Sequence, residues 1–412
     1  MSIKMSFTGE FIMETEKAIE SNILLRPDLG TFKVLLGGIF GLVVVTGIGR
    51  FAFTPILPLM KRDLGMSNSV AGALASLNYL GYLIGAILFS SCPRLLRSRL
   101  IVGGALLASL ATTTFMGATT SHLWWGLLRF GGGFASVTLF IVISAEVGGT
   151  LIQRGFAHWS GALYGGVGLG IALCGVIVPQ LDKAGGWDGS WLGMGGIAAL
   201  FAFAGVALVR NHELVRPSAS ESAGRPAELR SIWLPTVAYF LEGLGYVAPA
   251  TFLVAIVAAT PGLKGFAPYS WVAVGLAAIP STIFWPHLAR RIGNREALLA
   301  AFVLQAAGIL VGIHADTLIE VVFTAVSFGG TFLGITALIL TEGGLRMPND
   351  KGRAAAFLTA SFGVGQMLGP AIAGRLADLH QGFAVPLLLA ALCVALGGVF
   401  IAVDRRYQTR KS

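Results

Sequence analysis

The chain has 412 residues, of which 55% are hydrophobic and only 12% charged, and its mean hydropathy is +0.78. A soluble globular chain must keep a more polar surface, so these values exclude that class and favour an integral membrane protein. In a membrane protein the net charge of +9 reflects basic residues in the loops, which report the membrane topology. It does not indicate nucleic-acid binding.

Twelve apolar stretches separated by short polar breaks follow residue 32. A helix needs about 20 apolar residues to cross the hydrocarbon layer, and these stretches are continuous rather than alternating. We therefore predict an all-α membrane protein with twelve transmembrane helices. The predicted spans are Val34–Leu59, Ser69–Ser90, Leu100–Ala118, Leu123–Val147, Phe156–Pro179, Trp191–Val209, Ile232–Ala258, Tyr269–Leu288, Ala297–Ile313, Leu318–Leu340, Ala355–Leu376 and Phe383–Val403.

The basic residues predict the orientation of these spans. Lysine and arginine in short loops are retained on the cytoplasmic side. If the amino terminus is cytoplasmic, most of the 29 lysines and arginines fall on that side. We predict a multi-pass protein of the inner (cytoplasmic) membrane with cytoplasmic tails at 1–32 and 405–412. The first tail has no long apolar core and does not resemble a secretory signal peptide.

A polar linker at 211–231 divides the chain into two six-span halves, 33–210 and 232–404. The halves match locally at a nearly constant offset of about 196 residues, for example Gly47–Arg50 against Gly243–Tyr246 and Glu146 against Glu342. Parallel repeats of this kind are typical of transporters that hold a solute between two pseudo-symmetric bundles.

Three segments carry a more specific resemblance. Residues 47–60 read GIGRFAFTPILPLM, residues 239–246 read YFLEGLGY, and residues 365–370 read GQMLGP. The sequence resembles the YbfB/YjiJ family of the major facilitator superfamily from the first span to the twelfth. The resemblance implies the major facilitator fold, and a central cavity lined by the first and fourth spans of each half. The superfamily's antiporter motif lacks its proline in the fifth span, which argues against drug–proton antiport.

Two arginines lie inside predicted spans, Arg50 in the first and Arg129 in the fourth. A charged side chain in the hydrocarbon costs roughly 2.5–3.5 kcal/mol on insertion scales, so each of these arginines is expected to have a functional or structural role. Our hypothesis is that both face the cavity and bind a carboxylate or similar anion through the planar guanidinium. The alternatives are that Arg50 clamps backbone near Pro55 and Pro58, and that Arg129 extends to the outer headgroups.

Glu242 is predicted at the membrane midplane of the seventh span. Desolvation disfavours an ionised carboxylate, so Glu242 is the best candidate for taking up and releasing a coupling proton. It could instead form a fixed ion pair with Arg50 or bind a cationic solute directly.

Glu146 and Glu342 are predicted at the cytoplasmic ends of the fourth and tenth spans. We expect them to close the inner mouth by pairing with arginines of the neighbouring loops, or else simply to be solvated there. Those arginines are Arg94, Arg97, Arg290 and Arg291.

Polar and aromatic residues are expected to complete the solute site, although most aromatic residues in such helices only pack or contact lipid. They are Phe53, Asn78, Tyr79, Tyr164, Tyr246 and Gln366. The three cysteines lack pairing or metal-ligand spacing, so neither a disulfide framework nor a metal site is predicted.

The sequence thus predicts a secondary active transporter for a small organic solute, with protons as the expected coupling ion and a monomer as the expected form. An efflux antiporter for drugs or metabolites is one alternative, and a membrane sensor that binds a ligand without transport is another. No cofactor is expected, and the scattered ionisable residues do not form the set that an intramembrane enzyme would need.

Overall fold

The computed structural model describes residues 28–214 and 229–404, and these residues form helices and turns with no strand. Most of the predicted linker and both ends of the chain lie outside the described residues. The helices are α1 Leu29–Leu42, α2 Phe53–Leu64, α3 Asn68–Ser91, α4 Arg99–Phe115, α5 His122–Gln153, α6 Ser160–Val209, α7 Trp233–Ala259, α8 Ala267–Ile292, α9 Asn294–Val311, α10 Leu318–Arg346, α11 Lys351–Leu379 and α12 Ala384–Val403.

Eleven helical segments in these ranges are long and apolar enough to cross a membrane. The first segment joins α1 to α2 through a π-helical turn at Val43–Ile48. The predicted fifth and sixth spans both lie within the 50-residue helix α6, which is interrupted by non-helical backbone at Gly185 and Gly186. Large apolar side chains such as Leu107, Leu200 and Phe203 remain exposed on the outside, as expected of a surface that faces lipid.

The first helix begins earlier than predicted. α1 starts at Leu29 because Asp28 caps it, with the Asp28 side chain accepting a hydrogen bond of 2.9 Å from the backbone of Thr31. The part of the predicted cytoplasmic tail before residue 28 lies outside the described residues.

Glycines allow helix backbones of the two halves of the chain to touch. A Cβ added at Gly72 of α3 would lie 2.1 Å from the carbonyl oxygen of Pro370 in α11. A Cβ at Gly275 of α8 would lie 2.3 Å from the backbone nitrogen of Ala172 in α6. Small residues at such crossings are the usual means of close helix packing in membranes.

Helices within the first half touch in the same way, and this predicts a stability effect. A Cβ at Gly133 of α5 would meet the carbonyl oxygen of Asn78 at 1.9 Å, whereas one at Gly103 of α4 would meet nothing within 4 Å. We expect Gly133→Ala to destabilise the protein by about 1–3 kcal/mol, as overpacking does. The control Gly103→Ala should be neutral or slightly stabilising, since alanine favours helix by about 1 kcal/mol. Thermal unfolding in detergent, followed by tryptophan fluorescence, measures both, and equal melting temperatures for the two variants would contradict the packing argument.

Candidate functional site

The functional site starts at the irregular turn between α1 and α2, which positions Arg50. The backbone N–H of Gly49 donates to the carbonyl oxygen of Val44 at 2.9 Å, an i→i−5 bond that widens the helix. Gly47 permits this turn to lie against α6, because a Cβ there would be 2.5 Å from the Cα of Gly170. Turns of this kind redirect the side chains that follow, and they are frequent at functional sites.

Aromatic rings hold the Arg50 guanidinium. Its Cζ lies 4.3 Å from the ring centroid of Tyr79 and 4.6 Å from that of Tyr82, both on α3, and 5.7 Å from that of Phe51. Only 8% of Arg50 is exposed, and its Nε and Nη2 atoms have no hydrogen-bond partner among the described residues. Cation–π contacts therefore stabilise the charge while leaving two donors available to a ligand.

Arg129 occupies the neighbouring position on α5. Its Cζ lies 4.7 Å from the ring centroid of Phe53, and its Nε donates to the carbonyl oxygen of Leu74 at 3.4 Å. Only 5% of it is exposed, so it does not extend to the outer headgroups as one alternative proposed. Asn78 donates to the carbonyl oxygen of Arg129 at 2.9 Å, and the two arginines interact electrostatically with each other.

The second half of the chain contributes an aromatic wall around Tyr246 of α7. Tyr246 stacks on Phe362 with ring centroids 5.4 Å apart and on Phe332 at 6.0 Å. Gln366 of α11 donates a hydrogen bond to its hydroxyl. Tyr246 also interacts electrostatically with Arg50, so this wall faces the first half of the chain.

Glu242 lies apart from the arginines. Its Oε1 accepts a hydrogen bond of 2.7 Å from the side chain of Gln305 in α9, and the Oε1 of Gln305 accepts one of 2.7 Å from Thr331 in α10. The Oε2 of Glu242 has no partner among the described residues, and only 1% of the residue is exposed. Glu242 does not form an ion pair with Arg50 in this structure.

A cavity of about 880 Å³ opens at the end of the molecule where α3 ends and α11 begins, and neither Arg50 nor Arg129 is among the described residues that line it. Its walls come from α3, α4, α5, α11 and the turn between α3 and α4, and they are mainly apolar, with Phe89, Phe140 and Phe357 among them. Tyr82, which covers the Arg50 guanidinium, lies at its deep end. Tyr164 packs on Phe140 with ring centroids 5.9 Å apart.

The helices that form the cavity are closed at the opposite end of the molecule. The Asp378 carboxylate of α11 accepts hydrogen bonds from the backbone nitrogens of Asn68 at 3.1 Å and Ser69 at 2.7 Å, and from the Ser69 hydroxyl at 2.6 Å. It therefore caps the first turn of α3, which belongs to the other half. Closer to Arg50, the Thr54 hydroxyl of α2 donates to the carbonyl oxygen of Ala250 in α7 at 2.6 Å.

The glutamates predicted to act as a gate occupy different surroundings. Glu146 and Arg97 line the mouth of the cavity together with Arg353. Glu342 forms an ion pair of 2.6 Å with Arg346 on its own helix, and Arg346 pairs at 2.6 Å with Asp404. These last three residues all belong to the second half of the chain.

The arginines predicted as gate partners lie at the surface. Arg94 and Arg97 are exposed in the turn after α3, and Arg290 and Arg291 are exposed at the end of α8. Arg290 contacts His287, with its Nη2 3.2 Å from the Nδ1 of that ring.

Sequence reasoning missed several residues of this site. Tyr82 lies three residues after Tyr79 and therefore on the same helix face, so the spacing alone could have indicated it. Gln305 is an amide inside an apolar span, a signal of comparable strength. Phe328, Phe332 and Phe362 carry no such signal, because apolar spans contain many phenylalanines.

The described residues contain no group of three or more His, Cys, Asp or Glu side chains that could hold a metal ion. A helical membrane protein with a deep, one-sided cavity, and with a buried charge behind the aromatic ring at its deep end, has the architecture of a membrane transporter. Residues 42–402 match the family model of the uncharacterised MFS-type transporter YbfB. The chain therefore belongs to this family of the major facilitator superfamily, and the predicted family and transporter class, as opposed to an enzyme, are confirmed.

Curated relatives agree with this assignment. The chain is 25% identical to the uncharacterised transporter YycB of Bacillus subtilis over 380 residues, which cover 85% of this chain and 91% of the relative. It is 24% identical to an uncharacterised MFS-type transporter of Yersinia pestis, over 89% and 94% of the two chains. It is also 24% identical to a chloramphenicol resistance protein of Streptomyces lividans, over 86% and 92%.

Among solved structures, a mutant of the nucleoside transporter NupG is similar in fold. The TM-score is 0.71 with 12% sequence identity, covering 90% of this chain and 99% of that chain. At this identity the similarity is one of fold alone.

Proposed function

We propose that the protein is a secondary active transporter that carries a small organic solute by alternating access, and that this structure is its inward-open state. The observation that carries the proposal is a cavity that is open at one end of the molecule, is closed at the other, and has at its deep end Tyr82, whose ring covers the Arg50 guanidinium. A carrier must expose one site to the two sides in turn, and this asymmetry is what one of its two end states requires.

In this proposal the chain crosses the membrane twelve times, in two six-helix bundles. An uninterrupted helix of 50 residues would be about 75 Å long at 1.5 Å per residue, which is more than twice the roughly 30 Å hydrocarbon core. The break at Gly185 and Gly186 therefore supports a division of α6 into two crossings. The first six crossings form one bundle and α7–α12 form the other. The excess of basic residues in alternate loops supports a topology with both termini and the cavity mouth on the cytoplasmic side of the inner membrane.

The solute site in this proposal lies between the bundles at Arg50 and Arg129. The unpaired donors of Arg50 bind the solute, and Arg129 adds a second positive charge beside it. The other members of the proposed site are Phe53, Asn78, Tyr79, Tyr82, Tyr164, Tyr246 and Gln366.

Protons are the proposed coupling ion, with Glu242 as the carboxyl that binds them. It is buried in the second bundle, and its neighbours Gln305 and Thr331 connect it to α9 and α10. Glu146 with the arginines of the cavity mouth is the proposed inner gate. Glu342 with Arg346 and Asp404 joins the inner ends of α10 and α12, so that this bundle moves as one body.

Efflux of an organic compound is the second candidate function. Its support is the similarity to the chloramphenicol resistance protein of Streptomyces lividans over most of both chains. Uptake and efflux assays on vesicles with an imposed pH gradient distinguish the two directions.

Distance measurements test alternating access directly. After Cys92→Ser, spin labels at Ser91 and Lys351 report the inner mouth, and labels at Leu64 and His380 report the outer end. Asp378→Asn weakens the cap on α3, so we expect it to lengthen the outer distances and shorten the inner ones together. Asp316→Asn, which neutralises an exposed acid on the same side, is the matched control and should change neither. Inner and outer distances that fail to change in opposite directions would overturn the proposal.

A further inference from the structure

The charge of the solute can be inferred from what surrounds Arg50 and Arg129. Both are more than nine-tenths buried, and neither forms an ion pair with a carboxylate of the described residues. Their electrostatic neighbours are the phenols of Tyr79, Tyr82 and Tyr246 and each other. Two buried like charges without a counter-charge are costly, so the site is incomplete until an anion neutralises them.

Two buried glutamates of the second half make other contacts. Glu242 lies apart from the arginines with one oxygen hydrogen-bonded to Gln305 of α9, and Glu342 is paired with Arg346. The negative charge at the arginines must come with the ligand.

The body of the ligand can be inferred from the cavity walls. They are mainly apolar and include Phe89, Phe140 and Phe357, which suit a hydrocarbon surface better than a small hydrated ion. Tyr82 presents an aromatic ring at the deep end. An aromatic ring there favours a flat, unsaturated ligand by stacking.

We infer that the solute is a small organic anion with a planar, unsaturated body, of which an aromatic carboxylate is the simplest form. The carboxylate accepts from the free Nε and Nη2 of Arg50, and the ring lies against Tyr82. This inference rests on the proposed carrier function, because it takes the cavity in front of Arg50 to be the solute site.

Equilibrium binding to the full-length protein in lipid nanodiscs tests the inference without requiring transport. Four probes of similar size separate charge from shape: benzoate, cyclohexanecarboxylate, benzamide and benzylammonium. We expect benzoate to bind at least about tenfold more tightly than benzamide or benzylammonium, since only the anion forms charge-assisted hydrogen bonds. Cyclohexanecarboxylate should bind between benzoate and benzamide. Equal or tighter binding of the amide or the amine, or no saturable binding of either carboxylate, overturns the inference.

A ring variant tests the second half of the inference. Tyr82→Leu should remove the preference for benzoate over cyclohexanecarboxylate while keeping the preference for anions. Tyr269→Leu removes an exposed tyrosine from the start of α8 and should keep both preferences. A Tyr82→Leu protein that retains the preference for benzoate overturns the assigned planar body. If benzoate binds but is never transported, the inferred ligand class stands and the proposed carrier function is overturned. If amines are transported and benzoate does not bind, the carrier function stands and the inferred ligand class is overturned.

Discussion

Replacing Arg50 with alanine is expected to abolish transport and to weaken solute binding by about 100-fold or more. Two donors of the guanidinium have no partner among the residues that the structure describes, so the solute is the partner that they are available to bind. Hydrogen bonds to charged groups contribute about 1.5–3 kcal/mol each, and the loss of two gives this magnitude. Initial uptake rates and equilibrium binding in reconstituted vesicles measure the effect.

Two further variants separate a binding role of Arg50 from a structural one. Arg50→Lys retains the charge but loses the planar pair of donors, so we expect weakened binding with partial transport. Arg210→Ala removes an exposed charge at the end of α6 and should leave transport unchanged. The melting temperature of each variant shows whether the fold has survived. A well-folded Arg50→Ala protein with normal uptake would exclude Arg50 from the solute site.

Glu242→Gln is expected to abolish accumulation driven by a pH gradient while preserving exchange of solute between the two sides. A carrier coupled to one proton can accumulate solute about tenfold for each unit of pH difference, because one unit corresponds to about 1.36 kcal/mol. Glutamine keeps the size of the side chain and accepts the hydrogen bond from Gln305, but it cannot bind and release a proton. The accumulation ratio should therefore fall to about one, measured with labelled solute under an imposed gradient.

The control for this prediction is Glu213→Gln, which neutralises an exposed acid in the linker and should keep full accumulation. Counterflow, in which labelled solute exchanges for unlabelled solute without a gradient, should proceed in both variants. Accumulation by Glu242→Gln at the level of the unaltered protein would remove Glu242 from the coupling mechanism.

Several features of this site were within reach of sequence reasoning because they depend on residue type and local spacing. Arg50, Arg129 and Glu242 stand out since charge is rare and costly in an apolar span. The pairing of Glu342 with Arg346 follows helix spacing of four residues, a regular ion-pair distance. The sequence prediction instead named four arginines of the neighbouring loops as partners, and these are exposed.

Other features depend on contacts between distant segments. The π-helical turn before Arg50 is built from Val43–Ile48, whose apolar pattern is that of an ordinary helix. Asp378 caps α3 from a position about 310 residues further along the chain, and nothing in either local sequence indicates the other. The turn of Glu242 towards Gln305 rather than Arg50 likewise depends on how α7 is rotated against its neighbours.

The sequence by itself determined that the chain is a helical membrane protein, which family it resembles, and which buried ionic groups need an explanation. These properties follow from hydrophobicity, residue order and the cost of charge in hydrocarbon, all of which are local or additive along the chain. The tertiary structure alone decided that tyrosine rings hold Arg50 with no carboxylate of the described residues paired to it, that Glu242 hydrogen-bonds to a separate polar group, and which end of the cavity is open. Those outcomes depend on helix rotation and close backbone contact between the halves, where a shift of a few ångströms changes which side chains meet.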